Sequence, residues 1–395
     1  MNNFENVGSR TRQDVFGFYR VGRLKFYSQI EALEVSRKFN LPITWNFNDE
    51  VFSSYDWQTE PEETISELYV KRCEQLREKY DYLVLFYSGG ADSDNILKHF
   101  INNNIRLDEI VSVTNYEGTQ NRLSHWNAEI FEVAIPNVEK IKEKQPNLKH
   151  TIIDMTKIVV KNYNSLNLEE IYNYNAVWSP YVSIRDDIKM SQEHWRKLFS
   201  TGKKVAFIYG IDKPKVIVDE KMNFSFSFGC VGVNTAITPS MQRRNNDWEF
   251  DELFYWSPDF PKIVIKQCHV VKNFFKRNGH QRFEKRPRYI KGTKKLQFSP
   301  HGSFILVYDG NYLLNTDLNC LVYPYWYDIP YQFRPTSTIV TENDDWFIRK
   351  MNSEEEAKNW KIIMQKILQI TQTDYTKQNF LNDTIFTSKS YNLGK

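Results

Sequence analysis

The stretch Tyr82-Leu83-Val84-Leu85-Phe86-Tyr87 is an unbroken apolar and aromatic run that passes at once into Ser88-Gly89-Gly90-Ala91-Asp92-Ser93. A run without polar alternation predicts a strand covered on both faces, as at the centre of a parallel sheet. The next segments of the chain keep to that plan. Asp92 to Ile101 reads as a helix with Ile96, Leu97 and Phe100 on one face. Further strands are predicted over Glu109 to Thr114, His150 to Ile153 and Val205 to Tyr209. Between them lie helical patterns over Trp126 to Lys144 (interrupted or kinked at Pro136), Leu166 to Tyr174 and Ser191 to Ser200. Alternating strands and helices predict an α/β fold with a doubly wound parallel sheet. In such sheets ligands sit beyond the carboxyl ends of the strands, which directs attention to the loops after Tyr87, Thr114 and Tyr209.

Flanking this core, residues 1–80 read as an N-terminal extension, residues 81–240 as the sheet domain and residues 241–395 as a C-terminal α+β region. In the extension, Val21 to Tyr27 predicts a strand, Gln29 to Phe39 a short helix, and Pro42 with Asn46 and Asn48 a loop. Glu60-Pro61-Glu62-Glu63 is a favourable helix start, since proline is tolerated there and acids suit the dipole. That helix is expected to run to about Tyr80, with Ile65, Leu68, Tyr69, Cys73 and Leu76 on its apolar face. Near the other end, Ser353 to about Ile370 predicts a helix of mixed charge.

Composition narrows the class. Hydrophobic residues make up 41% and charged residues 26%, values of a globular rather than a disordered chain. Aromatics reach 15%, which serves large cores and base-stacking surfaces alike. A net charge of only +3 excludes a polycation that binds nucleic acid over its whole surface. Cys73, Cys230, Cys268 and Cys320 are scattered without a C-x-x-C pair, against a disulfide framework, a zinc site or an iron–sulfur site. The start Met1-Asn2-Asn3-Phe4-Glu5-Asn6 lacks an apolar signal core, and no apolar run is long enough to span a bilayer. A soluble, cytoplasmic protein without membrane contact is expected.

The loop after the first parallel strand carries the chemistry. Paired glycines let the backbone turn sharply and approach a ligand. The next helix begins within a residue or two, and its N–H groups and dipole favour an anion. Ser88 and Ser93 can add hydroxyl donors. Asp92 would repel a bare phosphate but suits a divalent cation bridging carboxylate and phosphate. A bare glycine turn with a helix cap would explain Gly-Gly alone. Five fixed residues, each at ~6–7% usage, arise by chance in a chain this long about once in one or two thousand. The context of strand before and helix after argues for a metal-bound polyphosphate site.

Ser-Gly-Gly-x-Asp-Ser at residues 88, 89, 90, 92 and 93 resembles the signature of the PP-loop (N-type ATP pyrophosphatase) superfamily. The resemblance covers about residues 80 to 215 and implies an adenine-nucleotide α-hydrolase-like (HUP) sheet. It further implies ATP and Mg²⁺ as cofactors, cleavage between the α and β phosphates, and transfer of AMP to a substrate carbonyl. Ser88, Gly89, Gly90, Ala91, Asp92 and Ser93 would hold the pyrophosphate end. Asp94-Asn95 departs from the pattern, where a small or apolar residue is more usual; a second acid suits either a second metal or altered chemistry. After Tyr209, Gly210-Ile211-Asp212-Lys213-Pro214-Lys215 is similar to a strand–Gly–acid stretch of the synthetase branch. By that resemblance Asp92 and Asp212 would bind the metal, and Lys213 or Lys215 would neutralise the departing pyrophosphate. An ordinary proline turn is the alternative. By the same resemblance Asn115, after the second strand, would contact adenine or ribose, although Asn is also a common turn residue.

Two other segments bear on partners. Lys262 to Lys295 holds twelve Lys and Arg against the single acid Glu284, with Phe274, Phe275, Phe283 and Tyr289 interleaved. This is either a footprint for tRNA or DNA, a solvated helical face, or a set of cations facing ATP. Cys268-His269 lies among Ile263, Val264, Ile265, Val270 and Val271, which favours a buried thiol over a nucleophile. His125 and His194 default to structural roles, and Trp126, Trp178, Trp195, Trp256 and Trp360 to core or interface anchors.

The sequence therefore predicts an ATP-dependent adenylating enzyme, with a nucleobase of tRNA or DNA favoured as acceptor. A small carboxylate made into an amide, as in asparagine-synthetase-like ligases, is the alternative substrate. No cysteine follows Met1 to head an amidotransferase domain, so free ammonia or a partner would supply nitrogen. The lack of paired cysteines argues against sulfur transfer. A non-catalytic ATP-sensing module, which the unusual Asp94 would suit, is the alternative from another class.

Overall fold

A computed structural model describes residues 17–114, 129–154, 185–211, 214, 216–219, 221–229, 247–278, 304–308, 311–315, 322–324, 369 and 386–395. Asn115, Asp212, Lys213, Lys215, His125, Trp126, Trp178, Trp360, Cys230 and Cys320 lie outside them. So do the helices expected at Leu166 to Tyr174 and, apart from residue 369, at Ser353 to Ile370.

The chain opens with an antiparallel hairpin, β1 (Phe18–Val21) and β2 (Leu24–Phe26), in place of the single strand expected over Val21 to Tyr27. Gly22, at φ +59°, turns the chain between them. Helix α1 (Gln29–Phe39) matches its predicted span, capped by the Ser28 hydroxyl and closed by Asn40 in the left-handed region. The Pro42–Asn48 segment is not all loop: β3 (Ile43–Asn46) pairs with β1 and buries Trp45 opposite Tyr19. After the short α2 (Asp49–Ser53) comes α3 (Ile65–Lys79). This helix starts a turn later than the Glu60-Pro61-Glu62-Glu63 stretch predicted. Thr64 and Glu67 form a reciprocal capping box, with Thr64 Oγ1 accepting from Glu67 N at 3.2 Å and Glu67 Oε2 from Thr64 N at 2.7 Å.

The central sheet has five parallel strands: β4 (Tyr82–Phe86), β5 (Glu109–Thr114), β6 (Lys149–Asp154), β7 (Val205–Tyr209) and β10 (Glu249–Leu253). Their spatial order is β10-β7-β4-β5-β6, so the chain moves outward one way from β4 and then restarts on its other side at β7. Helix α4 (Ala91–Asn102) follows β4. Between β5 and β6 lie a π-helical segment (Glu129–Ala134) and α5 (Ile135–Lys144), with Pro136 in the first turn of α5. The helix expected over Ser191 to Ser200 is two, α6 (Arg185–Ser191) and α7 (Glu193–Ser200), broken where Gln192 is extended. Strand β10 lies beyond the boundary predicted at residue 240, so the parallel sheet continues into the stretch assigned to the C-terminal region.

A second five-stranded sheet, entirely antiparallel, is ordered β11-β12-β8-β9-β13. It combines β8 (Val216–Val218) and β9 (Phe224–Phe226) with β11 (Phe304–Tyr308), β12 (Asn311–Asn315) and the terminal β13 (Tyr391–Gly394). One apolar cluster runs from Tyr19 to Leu393, so residues 17–80 share a core with both sheets. Its aromatic centre draws on distant segments: Phe228 packs on Phe47 at 4.7 Å, on Phe52 at 4.5 Å and on Trp256 at 5.1 Å, and Trp57 stacks on Tyr391 at 4.4 Å. Helix α8 (Lys262–Asn278) packs against α3 and β8. Among the described residues no helix is long and apolar enough to cross a membrane.

Strand β10 carries three acids, each buried with a cation. On one face Lys189 Nζ lies 2.8 Å from Glu249 and 2.7 Å from Asp251. On the other, Arg72 Nη2 lies 2.7 Å from Glu252, which also takes Lys79 at 3.0 Å and the Tyr80 hydroxyl. The cations next to Glu252 hold its carboxyl below the ordinary value despite burial. Removing Arg72 leaves the buried Glu252 with only the partly exposed Lys79 and the Tyr80 hydroxyl. Arg72→Leu is therefore expected to cost about 3–5 kcal/mol, and adding Glu252→Leu to recover most of that loss. Urea melts of both variants test this; equal destabilisation would contradict it.

Candidate functional site

Strand β4 hands the chain to the glycine loop under tight backbone control. Tyr87 N donates to Val111 O at 2.8 Å, and the Ser112 hydroxyl donates to Tyr87 O at 2.9 Å. The chain then turns at Gly89, whose φ is +83°. A Cβ there would stand 3.1 Å from Ala134 N and 3.2 Å from Val133 Cγ1, so glycine is needed for both conformation and space. Gly90, extended, is the N-cap of α4 and has no side chain to cap it. The loop braces itself instead. Ser88 N donates to Ser93 Oγ at 3.4 Å, Gly90 N to Ser88 Oγ at 3.3 Å, and Ser93 Oγ to Gly90 O at 3.2 Å. Ser93 is buried and its one hydroxyl proton is used within the loop. In this arrangement it holds the loop's shape.

The pairing of β4 with β7 brings the second expected segment to the same place. A Cβ on Gly210 would lie 3.1 Å from the Asp92 carbonyl carbon and 3.2 Å from Ser93 N. The carboxyl end of β7 thus abuts the first turn of α4, where the strand order reverses direction. Crevices at such reversals are where parallel sheets take ligands. Asp212 and Lys213, which follow in the chain, are outside the described residues, as is Asn115.

The first turn of α4 presents the N–H groups of Ala91, Asp92 and Ser93, and the partly exposed Asp92 side chain. Asp92 is held at two points: Tyr255 donates its hydroxyl to the Asp92 carbonyl at 2.7 Å, and the Tyr323 hydroxyl donates to Asp92 Oδ1. Sequence reasoning misses both tyrosines, because nothing local to residues 255 or 323 points to residue 92. Burial, then neighbouring Asp92 and the other tyrosines, pushes the Tyr323 phenol well above its ordinary value; burial likewise raises Tyr255 and Tyr69. All three stay protonated donors at working pH.

Asp94 does not face the loop. It is fully buried, with Oδ1 accepting from the Tyr87 hydroxyl at 2.8 Å and from Asn137 Nδ2 at 3.1 Å, while Lys98 Nζ lies 3.0 Å from Oδ2. It ties the end of β4 to α4 and α5, a packing role, where the sequence left a second metal or altered chemistry open for it. His99, on the same helix, shares a hydrogen bond with Asn95 O at 2.7 Å and lies 3.4 Å from the Ser66 hydroxyl on α3. Cys268 is buried, its thiol pushed up by burial, and His269 is hydrogen-bonded to Trp57 O at 2.9 Å. Both are structural, as is His194, which bonds Glu109 at 3.0 Å at the opposite, amino end of β5.

The basic segment is partly engaged within the chain. In α8, Lys262 pairs with Glu63 at 2.8 Å and Lys266 with Glu60 at 2.7 Å. Lys272 and Lys276 donate to the backbone carbonyls of Leu393 and Lys395, and Arg277 to Asn273 O. The remaining cations, from Arg282 to Lys295, lie outside the described residues. Among the described residues no group of three or more His, Cys, Asp or Glu side chains is arranged to hold a metal. No model of a known protein family matches the chain, and a comparison with curated proteins finds no match.

This geometry has two measurable consequences. Gly89→Ala is expected to lose at least ~1–2 kcal/mol from the left-handed backbone alone, before crowding against Ala134. Gly210→Ala, without that backbone strain, is expected to lose less; denaturant melts that reverse the order would refute the assignment. Burial lowers His99 to about 4, so it is neutral in the fold and protonates far more readily when unfolded. Its stabilising effect is complete above about pH 6.5 and falls away as pH drops towards about 4, by about 3 kcal/mol in all. Melts of His99→Gln between pH 7 and pH 4.5 are expected to show a flatter pH dependence than the parent.

Proposed function

We propose that this chain is an ATP pyrophosphatase-type enzyme with the doubly wound, HUP-like sheet of the PP-loop proteins, adenylating a carbonyl of its substrate and releasing pyrophosphate. The observation that carries this reading is the position of Ser88-Gly89-Gly90-Ala91-Asp92-Ser93 at the reversal of strand order, against Gly210. A loop there offers helix N–H groups to an anion and a crevice between two strand ends.

The residues fit a magnesium–polyphosphate. Gly89 and Gly210 bring backbone close to the loop, where a side chain at either position would be crowded. Magnesium keeps several waters and takes one or two carboxylates together with phosphate oxygens, so a preformed cage of three protein ligands is not required. Asp92 would be one carboxylate and Asp212 the second. Lys213 would neutralise charge on the leaving pyrophosphate, and Asn115 would contact adenosine. The metal would supply charge neutralisation at the phosphates. The protein's own contribution is orientation: Tyr255 fixes the Asp92 backbone, Tyr323 its carboxylate, and Asp94 the seat of α4.

For the acceptor we favour a nucleobase of tRNA or DNA. With the α8 cations tied to Glu60, Glu63 and the C-terminal carbonyls, the phosphate contacts of this reading rest on Arg282 to Lys295. A small carboxylate is the alternative acceptor.

Mass analysis of nucleotides after incubation with ATP, Mg²⁺ and pooled tRNA, then with small carboxylates, tests both. AMP with pyrophosphate is expected, falling about a hundredfold or more in Asp92→Asn. ADP instead would refute α–β cleavage. Tight ATP binding without turnover on any pool would identify a sensing module.

A further inference from the structure

Residues 322–324 are far from the glycine loop in sequence, yet they are bound to it by a continuous polar chain. Gln267 Nε2 on α8 donates to the Tyr69 hydroxyl on α3 at 2.8 Å, and that hydroxyl donates to Val322 O at 2.8 Å. The next residue, Tyr323, donates to Asp92 Oδ1. Asn95 Nδ2 donates to the Tyr255 hydroxyl at 3.0 Å, which in turn donates to the Asp92 carbonyl. The rings support these bonds: Tyr255 lies 5.6 Å from Tyr323 and 5.5 Å from Tyr69, all three essentially inaccessible to solvent. A hydroxyl this immobile fixes the rotamer of the carboxylate it binds. Val322 is held by Tyr69 of α3 and the Tyr323 ring packs on Tyr255, so buried groups of the core fix this orientation.

We infer that Tyr323 is a positioning residue, which holds the Asp92 carboxylate in one orientation for a divalent cation and so makes the C-terminal region part of the nucleotide site. This role rests on the reading of the loop as a magnesium–nucleotide site. A carboxylate ligand with one oxygen engaged by a fixed donor presents the other oxygen in a set direction. Outer partners of this kind are worth roughly tenfold to a hundredfold in metal affinity.

The test is ATP affinity by titration calorimetry in EDTA and across a Mg²⁺ series, for the full chain and for Tyr323→Phe, Asp92→Asn and the double variant. The phenylalanine keeps the ring and loses only the hydroxyl, and thermal melts verify that each variant is folded. Tyr323→Phe is expected to retain the metal-free affinity while its gain from Mg²⁺ falls about tenfold or more. Added to Asp92→Asn it is expected to change nothing further, a coupling that a merely structural role would not produce. If folded Tyr323→Phe gains as much from Mg²⁺ as the parent, the positioning role is overturned while the nucleotide reading stands. If the parent itself shows no Mg²⁺-dependent ATP affinity, the nucleotide reading falls and this role with it.

Discussion

The parallel pairing of Tyr82–Phe86 with Val205–Tyr209 is the contact on which the rest of the molecule turns. These strands are separated by more than a hundred residues, yet their adjacency creates the reversal of strand order. It also explains a glycine at 210: with the strands in this register, the backbone of β7 leaves so close to the first turn of α4 that a side chain would be crowded. Both strands are buried almost throughout, so the pairing is held by backbone hydrogen bonds shielded from water and by apolar side chains on both faces.

Burying a sheet with charged members requires compensation, and β10 shows how it is arranged. Glu249 and Asp251 point to Lys189 from α6, and Glu252 points the other way to Arg72 from α3. Each ion pair therefore docks a helix on one face of the same edge of the sheet. Such pairs add little net stability over apolar residues of equal volume, but an uncompensated member is costly. They thereby discriminate strongly against arrangements that separate the partners. The aromatic cluster around Phe228 supplies the apolar counterpart, joining the N-terminal hairpin region, the parallel sheet and the antiparallel sheet in one core.

At the glycine loop, neighbouring side chains of one short motif face in different directions. Ser93 and Asp94 face inward and secure the loop and helix, whereas Asp92 remains partly exposed under the hold of Tyr255 and Tyr323. Asp94, the residue that makes this motif unusual, is thus accounted for by Tyr87, Asn137 and Lys98. It no longer lends particular support to a sensing role.

Much of the parallel sheet was legible in the sequence because its signals are local. Four strands and the helices after β4 and β5 follow from apolar runs and helical periodicity, and the glycine loop from residues adjacent in the chain. The capping box at Thr64 is equally local, and it, rather than the acidic stretch before it, sets the start of α3. Tertiary structure alone decided the rest. Strand β10, Glu-Phe-Asp-Glu-Leu, has the composition of an exposed segment, and it becomes a buried strand only because Lys189 and Arg72 arrive from elsewhere. The Tyr323–Asp92 bond, the inward turn of Asp94 and the engagement of the α8 lysines by Glu60 and Glu63 are of the same kind. Hydrophobic periodicity and turn chemistry are written between near neighbours in the chain. The partner of a charge or a hydroxyl is chosen across space, once the core has set which surfaces meet.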